Sequence, residues 1–226
     1  MRIRRALVRA AAGDRAGARA EVGEVLARVE GTGGPHLAFV EMALGGLALL
    51  DGRLAEAERL HRAAVTRLGQ GDAGPPQVVA MVRAGLGLAL AARAEAEPDP
   101  AALLAEAAAE LDLALDAAVR VSADMPVAAL VVQGLAALAL ATGEPERAGV
   151  LFGKATAVRG RRDRGDLVAR EIERRLRERL GGEQAERLHA AGAAVPRADV
   201  FAELGAAYTG GWPAFPADDA GQTRRR

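Results

Sequence analysis

Along most of the chain apolar residues return every third or fourth position, and short turns rich in Gly, Pro and Asp interrupt them; this is the pattern of packed helices. It predicts a helix over 3–12, a turn at Gly13-Asp14 and a second helix over 15–29. Beyond the break at 31–36, a nearly all-apolar stretch over 37–50 and an amphipathic one over 54–68 flank Asp51-Gly52-Arg53. A third pair is predicted over 77–93 and 100–120, joined by AEAEPDP, with Asp99 as N-cap and Pro100 in the first turn. The fourth pair is an apolar run over 127–141, the turn Thr142-Gly143-Glu144, and a helix that opens with Pro145 and runs to Gly160.

Within these helices small residues share one face. Ala148, Phe152 and Ala155 stand at i, i+4 and i+7. Ala18, Val22 and Val25 repeat the ladder, as do Ala57, Leu60 or His61, and Ala64. Alanine at such positions lets two helix backbones approach closely, and hairpins built this way stack into α-solenoids. Leu44-Gly45 followed by Ala48 and the Ala57 ladder fits the tetratricopeptide pattern, and Leu86-Gly87 takes the part of Leu44-Gly45 in the next unit. The anchors lie farther apart than the roughly 34-residue tetratricopeptide period. The expected fold is therefore all-α: an α-solenoid of tetratricopeptide-like helix hairpins with expanded units over 1–160, closed by a C-terminal helical cap over 161–208. The short first helix lacks a polar capping face, so the solenoid is expected to extend further upstream, or the start to lie inside a longer ancestral domain.

Past residue 160 the texture changes. Leu167, Ile172, Leu176 and Leu180 mark an amphipathic helix ended by Gly181-Gly182; a short helix over 183–191 and a last one over 199–207, with Val200, Phe201 and Leu204 inward, follow. Residues 209–226 carry Gly and Pro without periodicity and are expected to form a flexible tail. In it Trp212 and Phe215 are candidate anchors that fold back into a groove or insert into a neighbouring molecule.

Composition narrows the function more than it identifies it. Half of the 226 residues are hydrophobic but only 3% are aromatic, so the apolar content is mostly Ala, Leu and Val, which favours close helix packing. Lys+Arg and Asp+Glu are equal at 30 each, which gives no global pull toward nucleic acid or acidic membranes. The absence of Cys excludes disulfides, thiolate metal sites and a Cys nucleophile, and fits a cytoplasmic setting. The basic N-terminus is broken by Arg9 and Asp14 before a signal-peptide core could form. Met125 to Gly143 approaches membrane-spanning length, but its Ala and Gly content and its place in a hairpin series argue for a buried helix.

No catalytic constellation is present, and no enzyme activity or cofactor is expected. His36, His61 and His189 lack metal-ligand spacing and are expected on the surface or in loops. Gly85-Leu86-Gly87 has no strand before it, so helix packing explains it better than a dinucleotide loop. The only Lys, Lys154, lies mid-helix, and no phosphate-binding loop motif occurs. The arginine-rich stretch from Arg159 to Arg179 is interrupted by Glu171, Glu173 and Glu178 at helical spacing, which favours a solvated, ion-paired helix over a DNA-reading one. The remaining candidates are polar residues inside the apolar first helices: Glu41, Arg83 and Gln133. First helices line the concave surface of a solenoid, so with Phe39, Met42 and Met81 these define a candidate partner-binding groove; alternatively Glu41 pairs with Arg83 in the interior.

The segments RAGVLFGKATAVRG (147–160), GDLVAR (165–170) and LGGEQAERLHAAGAAV (180–195) resemble the C-terminal tetratricopeptide region of actinobacterial transcriptional regulators, of the SARP/AfsR-like and related LuxR-type ATPase kinds. In such proteins this region senses ligands or partners and restrains ATPase and DNA-binding domains. The resemblance implies a non-enzymatic regulatory or sensor module whose concave groove takes a protein segment, from a transcriptional regulator or from another copy of the chain. The alternative it leaves open is a small-molecule-sensing helical domain that controls a biosynthetic pathway. Direct nucleic-acid or membrane partners are not expected.

Overall fold

The computed structural model describes residues 2–29, 34–69, 75–119, 125–163 and 165–204. Among them are eleven helices and no strand: α1 (Arg2–Ala11), α2 (Arg15–Val29), α3 (Gly34–Leu50), α4 (Leu54–Gly69), α5 (Pro76–Ala94), α6 (Ala101–Val119), α7 (Met125–Ala141), α8 (Pro145–Arg159), α9 (Leu167–Leu180), α10 (Gly182–Ala193) and α11 (Arg197–Glu203). Periodicity located every one of them to within a few residues at each end. Helix α6 starts at Ala101, and the Pro100 carbonyl accepts its first bond, from Leu104 N–H at 2.9 Å. Pro100, not Asp99, is therefore the cap position. Trp212 and Phe215 lie outside the described residues.

Three hairpin turns are built alike. Gly13, Gly52 and Gly143 adopt φ of 98°, 72° and 79°, where a side chain would be strained. The residue after each glycine donates back five positions: Asp14 to the Arg9 carbonyl, Arg53 to Ala48 and Glu144 to Ala139, at 2.8–3.0 Å. This closure satisfies orphan carbonyls of the first helix and turns the chain sharply into the second. The α5–α6 connection, with two prolines, is the exception.

The hairpins α1–α2, α3–α4, α5–α6 and α7–α8 lie side by side: α1 touches α3, α3 touches α5, α5 touches α7 and α7 touches α9. Each second helix also packs on the first helix of the next hairpin. On α4 and on α6 one side chain sits between two first helices. His61 on α4 sits over Gly45 of α3 and Gly85 of α5; a Cβ on Gly45 would come within 2.7 Å of its ring, and one on Gly85 closer still. Leu111 on α6 sits the same way over Gly87 of α5 and Gly134 of α7. Each knob is four residues after a fully buried alanine, Ala57 and Ala107. The third copy, Ala148 and Phe152 on α8, belongs to the cluster with Ala136 of α7 and Ala169, Ile172 and Leu176 of α9. On α4 and α6 the ladder thus supplies knobs whose sockets are glycines.

Two histidines expected at the surface are buried instead. His61 is 2% exposed. His189 of α10 tilts against Phe152 at 5.2 Å, and its Nε2 lies 3.1 Å from the Thr156 hydroxyl. Burial, with Arg162 nearby, holds the His189 imidazolium below its ordinary pKa. That contact is possible because α8 and α10 cross through glycines: a Cβ on Gly153 would strike the His189 carbonyl, and one on Gly192 the Val150 carbonyl. Helix α11 closes the other end, with Val200 and Phe201 in the cluster that holds Val127, Val131 and Val158.

Among the described residues one helix, α5, is long and apolar enough to cross a membrane, with a mean hydropathy of 1.3 and 56% of that window buried inside the protein. The run from Met125 to Gly143 forms the shorter α7.

Candidate functional site

The proposed groove residues are not gathered on one surface. Glu41 is buried and accepts from Arg67 Nε at 2.8 Å, across to α4. Arg83 donates to Glu110 at 2.7 Å, across to α6. Each is therefore bound to the second helix of its own hairpin, and the expected Glu41–Arg83 pair does not form. The reason is geometric: Glu41 lies four residues before Gly45, and Arg83 four before Gly87, on the face where each first helix meets its own partner. Gln133 is buried and its Oε1 has no hydrogen-bond partner; it borders a small pocket with Phe152, Thr156 and Arg159. Met42 packs with Ala38, Ala64, Leu68 and Val82, and Met81 with the cluster around Leu111. Phe39 is half-buried on α3.

The surface shared by the odd-numbered helices is occupied by the chain itself. Helix α9 carries its apolar residues on one face, and Asp166 caps it by accepting from Val168 and Ala169 N–H. Leu167 joins the α1–α3 cluster of Ala6, Ala10, Val40 and Leu47. Within the next three turns, Ala169, Ile172 and Leu176 join Leu88 of α5, Ala136 and Leu140 of α7, and Phe152 of α8. Arg175 is paired with Glu95 at the end of α5. Helix α9 thus reaches from the first hairpin to the last.

The contact is incomplete. Between α9 and the C-terminal ends of α1, α3 and α5 lies a cavity of about 960 Å³. Leu49, Leu88, Ala92, Ala137 and Ile172 supply its apolar wall; Arg15, Arg170, Arg174 and Arg175 reach it with Glu95 and Glu171. Arg174 is bridged to Glu171 and Glu178, and Arg15 donates to the Leu50 carbonyl at 2.8 Å. Hydrogen bonds from Arg174, with Arg175 and Arg15 nearby, hold the Glu171 carboxyl below its ordinary range. The sequence marked Ile172 and the arginine-rich stretch with Glu171 as an amphipathic, ion-paired helix, and gave no sign that they wall a cavity. The available signal was Arg170 and Arg174 at i, i+4 beside the apolar stripe of α9, a spacing that equally describes a solvated helix face.

Elsewhere the arginine-rich stretch is largely ion-paired, as the interleaved acids implied: Arg177 with Glu173, Arg162 with Glu173 and Glu186, and Arg159 with Asp163 and Asp166. No family model, no curated protein and no solved structure matches the chain.

Proposed function

We propose that the chain is a tetratricopeptide-like α-solenoid serving as a non-enzymatic interaction module, the regulatory or sensor part of a bacterial transcriptional regulator, whose concave surface takes an amphipathic helix from a protein partner. The observation that carries this is α9: an amphipathic helix seated on α7 and α8 through Ile172 and Leu176 extends toward the first hairpins, where Leu167 joins the α1–α3 cluster. A surface that holds one such helix by alternating apolar anchors can hold another of like pattern. The repeated turns and knob-and-socket contacts support the solenoid, and the segments 147–160, 165–170 and 180–195 are the basis of the regulatory assignment. In this scheme α9 competes with the partner for the groove.

A labelled peptide of residues 166–181 tests it, titrated into the wild-type chain and into the double variant Ile172→Asp, Leu176→Asp. The variant should bind the peptide saturably and at least about tenfold more tightly than wild type, because its own helix no longer fills the groove. Leu167→Asp, which removes only the anchor on α1–α3, should give a smaller gain in the same direction. A variant that keeps its helical circular dichroism yet ignores the peptide would refute the proposal. The cavity favours a second reading, small-molecule sensing in control of a biosynthetic pathway.

A further inference from the structure

We infer that the cavity between α9 and the C-terminal ends of α1, α3 and α5 is a binding site for a small amphipathic organic anion: an apolar body of about ten carbons carrying a carboxylate or a similar acidic group. Three observations lead there. Its volume, about 960 Å³, lies at the upper end of the range for small-molecule sites. Its wall from α3, α5, α7 and α9 is aliphatic, so the face of a ligand body laid against it would be withdrawn from water.

The charge at its edge is the third. Four arginines and two carboxylates line it, and Glu178 and Asp51 pair with Arg174 and Arg15 from beside the lining, so of the four arginines Arg170 alone has no carboxylate partner among the described residues. Arg174 and Arg175 are committed to Glu171 and Glu95, and Arg15 to the Leu50 carbonyl, where it offsets the negative end of α3. Arg170 has no hydrogen bond or ion pair among the described residues, which leaves a planar fork of donors at the mouth of an aliphatic chamber. A guanidinium in that position recognises a carboxylate in a bidentate manner. A cationic head group would be repelled, and a neutral one would leave the fork unused.

Since α9 forms one wall, a ligand that fits also favours the docked position of α9 and opposes a partner helix by the same factor. That coupling rests on the displacement proposed above; the site itself does not.

The test is calorimetric titration of the full chain with decanoate, decanol and decyltrimethylammonium, each below its micelle range. Decanoate is expected to bind one to one, with decanol and the cation at least about tenfold weaker. Arg170→Glu, a substitution at an exposed position that leaves the fold intact, should weaken decanoate by about tenfold and leave decanol unchanged. Ala92→Trp, which fills the chamber, should abolish saturable binding of decanoate. Equal affinity for the three probes, no saturable heat with decanoate, or decanoate affinity unaltered by Arg170→Glu would each overturn the assignment; the last two arms stand even if Ala92→Trp fails to fold. Tight decanoate binding that leaves the affinity for the 166–181 peptide unchanged would uphold the site and count against displacement by α9.

Discussion

His61 occupies a place where the next hairpin has Leu111, and replacing it by Leu should stabilise the protein in a pH-dependent way. The ring is 2% exposed, lies between Gly45 and Gly85, and neither ring nitrogen has a hydrogen-bond partner. A buried polar group left unpaired costs about 1–3 kcal/mol, and Leu has nearly the volume of His with no such group. His61→Leu should therefore raise stability by about 1–3 kcal/mol at pH 7.5, a few degrees to about ten in melting temperature. Burial also pushes the imidazolium down from 6.5 to about 4, since a charge there would have neither water nor a counter-ion. With the folded pKa below the unfolded one, the unfolded chain binds the proton first as pH falls. The wild type keeps this contribution above pH 6.5 and loses about 3 kcal/mol of it between pH 6.5 and 4, whereas the Leu variant has nothing to lose there. Urea unfolding of both proteins at pH 7.5 and 4.5 checks it, because the difference between them cancels the carboxylates common to both. The advantage of the Leu variant should grow by about 2–3 kcal/mol at the lower pH. A constant difference at the two pH values, or a less stable variant at pH 7.5, would refute the knob-and-socket account of His61.

Other outcomes follow from the same packing. Gly192→Ala should cost about 3 kcal/mol or more and speed amide exchange throughout α10, because its Cβ would collide with the Val150 carbonyl. Gly46→Ala, on the same test, should gain about 0.5–1 kcal/mol: this interior position of α3 has nothing within 4 Å of the added carbon, so only the helix-propensity gain remains. Ala148 is fully buried in the α7–α9 seam, so Ala148→Trp should lower the melting temperature by about 5–10 °C; an unchanged transition would mean that the repeat register is misassigned.

Much of the candidate site was hidden from the sequence for an identifiable reason. Leu167, Ile172 and Leu176 announce an amphipathic helix, but the stripe is the same whichever apolar surface receives it. Glu41 and Arg83 are legible as polar residues in apolar helices, which suits a groove or a pair with each other; their actual partners, Arg67 and Glu110, follow from the rotational setting of each first helix against its own second helix. Gly153 and Gly192 carry no local signal that they oppose one another across a helix crossing.

What the sequence alone determined is local: the helices α1 to α11 of the described residues from apolar periodicity, the Gly-centred turns at Gly13, Gly52 and Gly143, and the ladders of Ala57 and Ala64 and of Ala148 and Phe152 that give α4 and α8 a face to bury. These depend on backbone preferences and on spacing within a few turns, which neighbours in the chain fully specify. Only the tertiary structure decided that His61, and not Leu60, is the knob, that its socket is shared by glycines on two different helices, and that α9 returns across the first helices and leaves a chamber lined with arginine. Such choices depend on which surfaces remain exposed once the hairpins have stacked, and that is a property of residues far apart in sequence brought within a few ångströms.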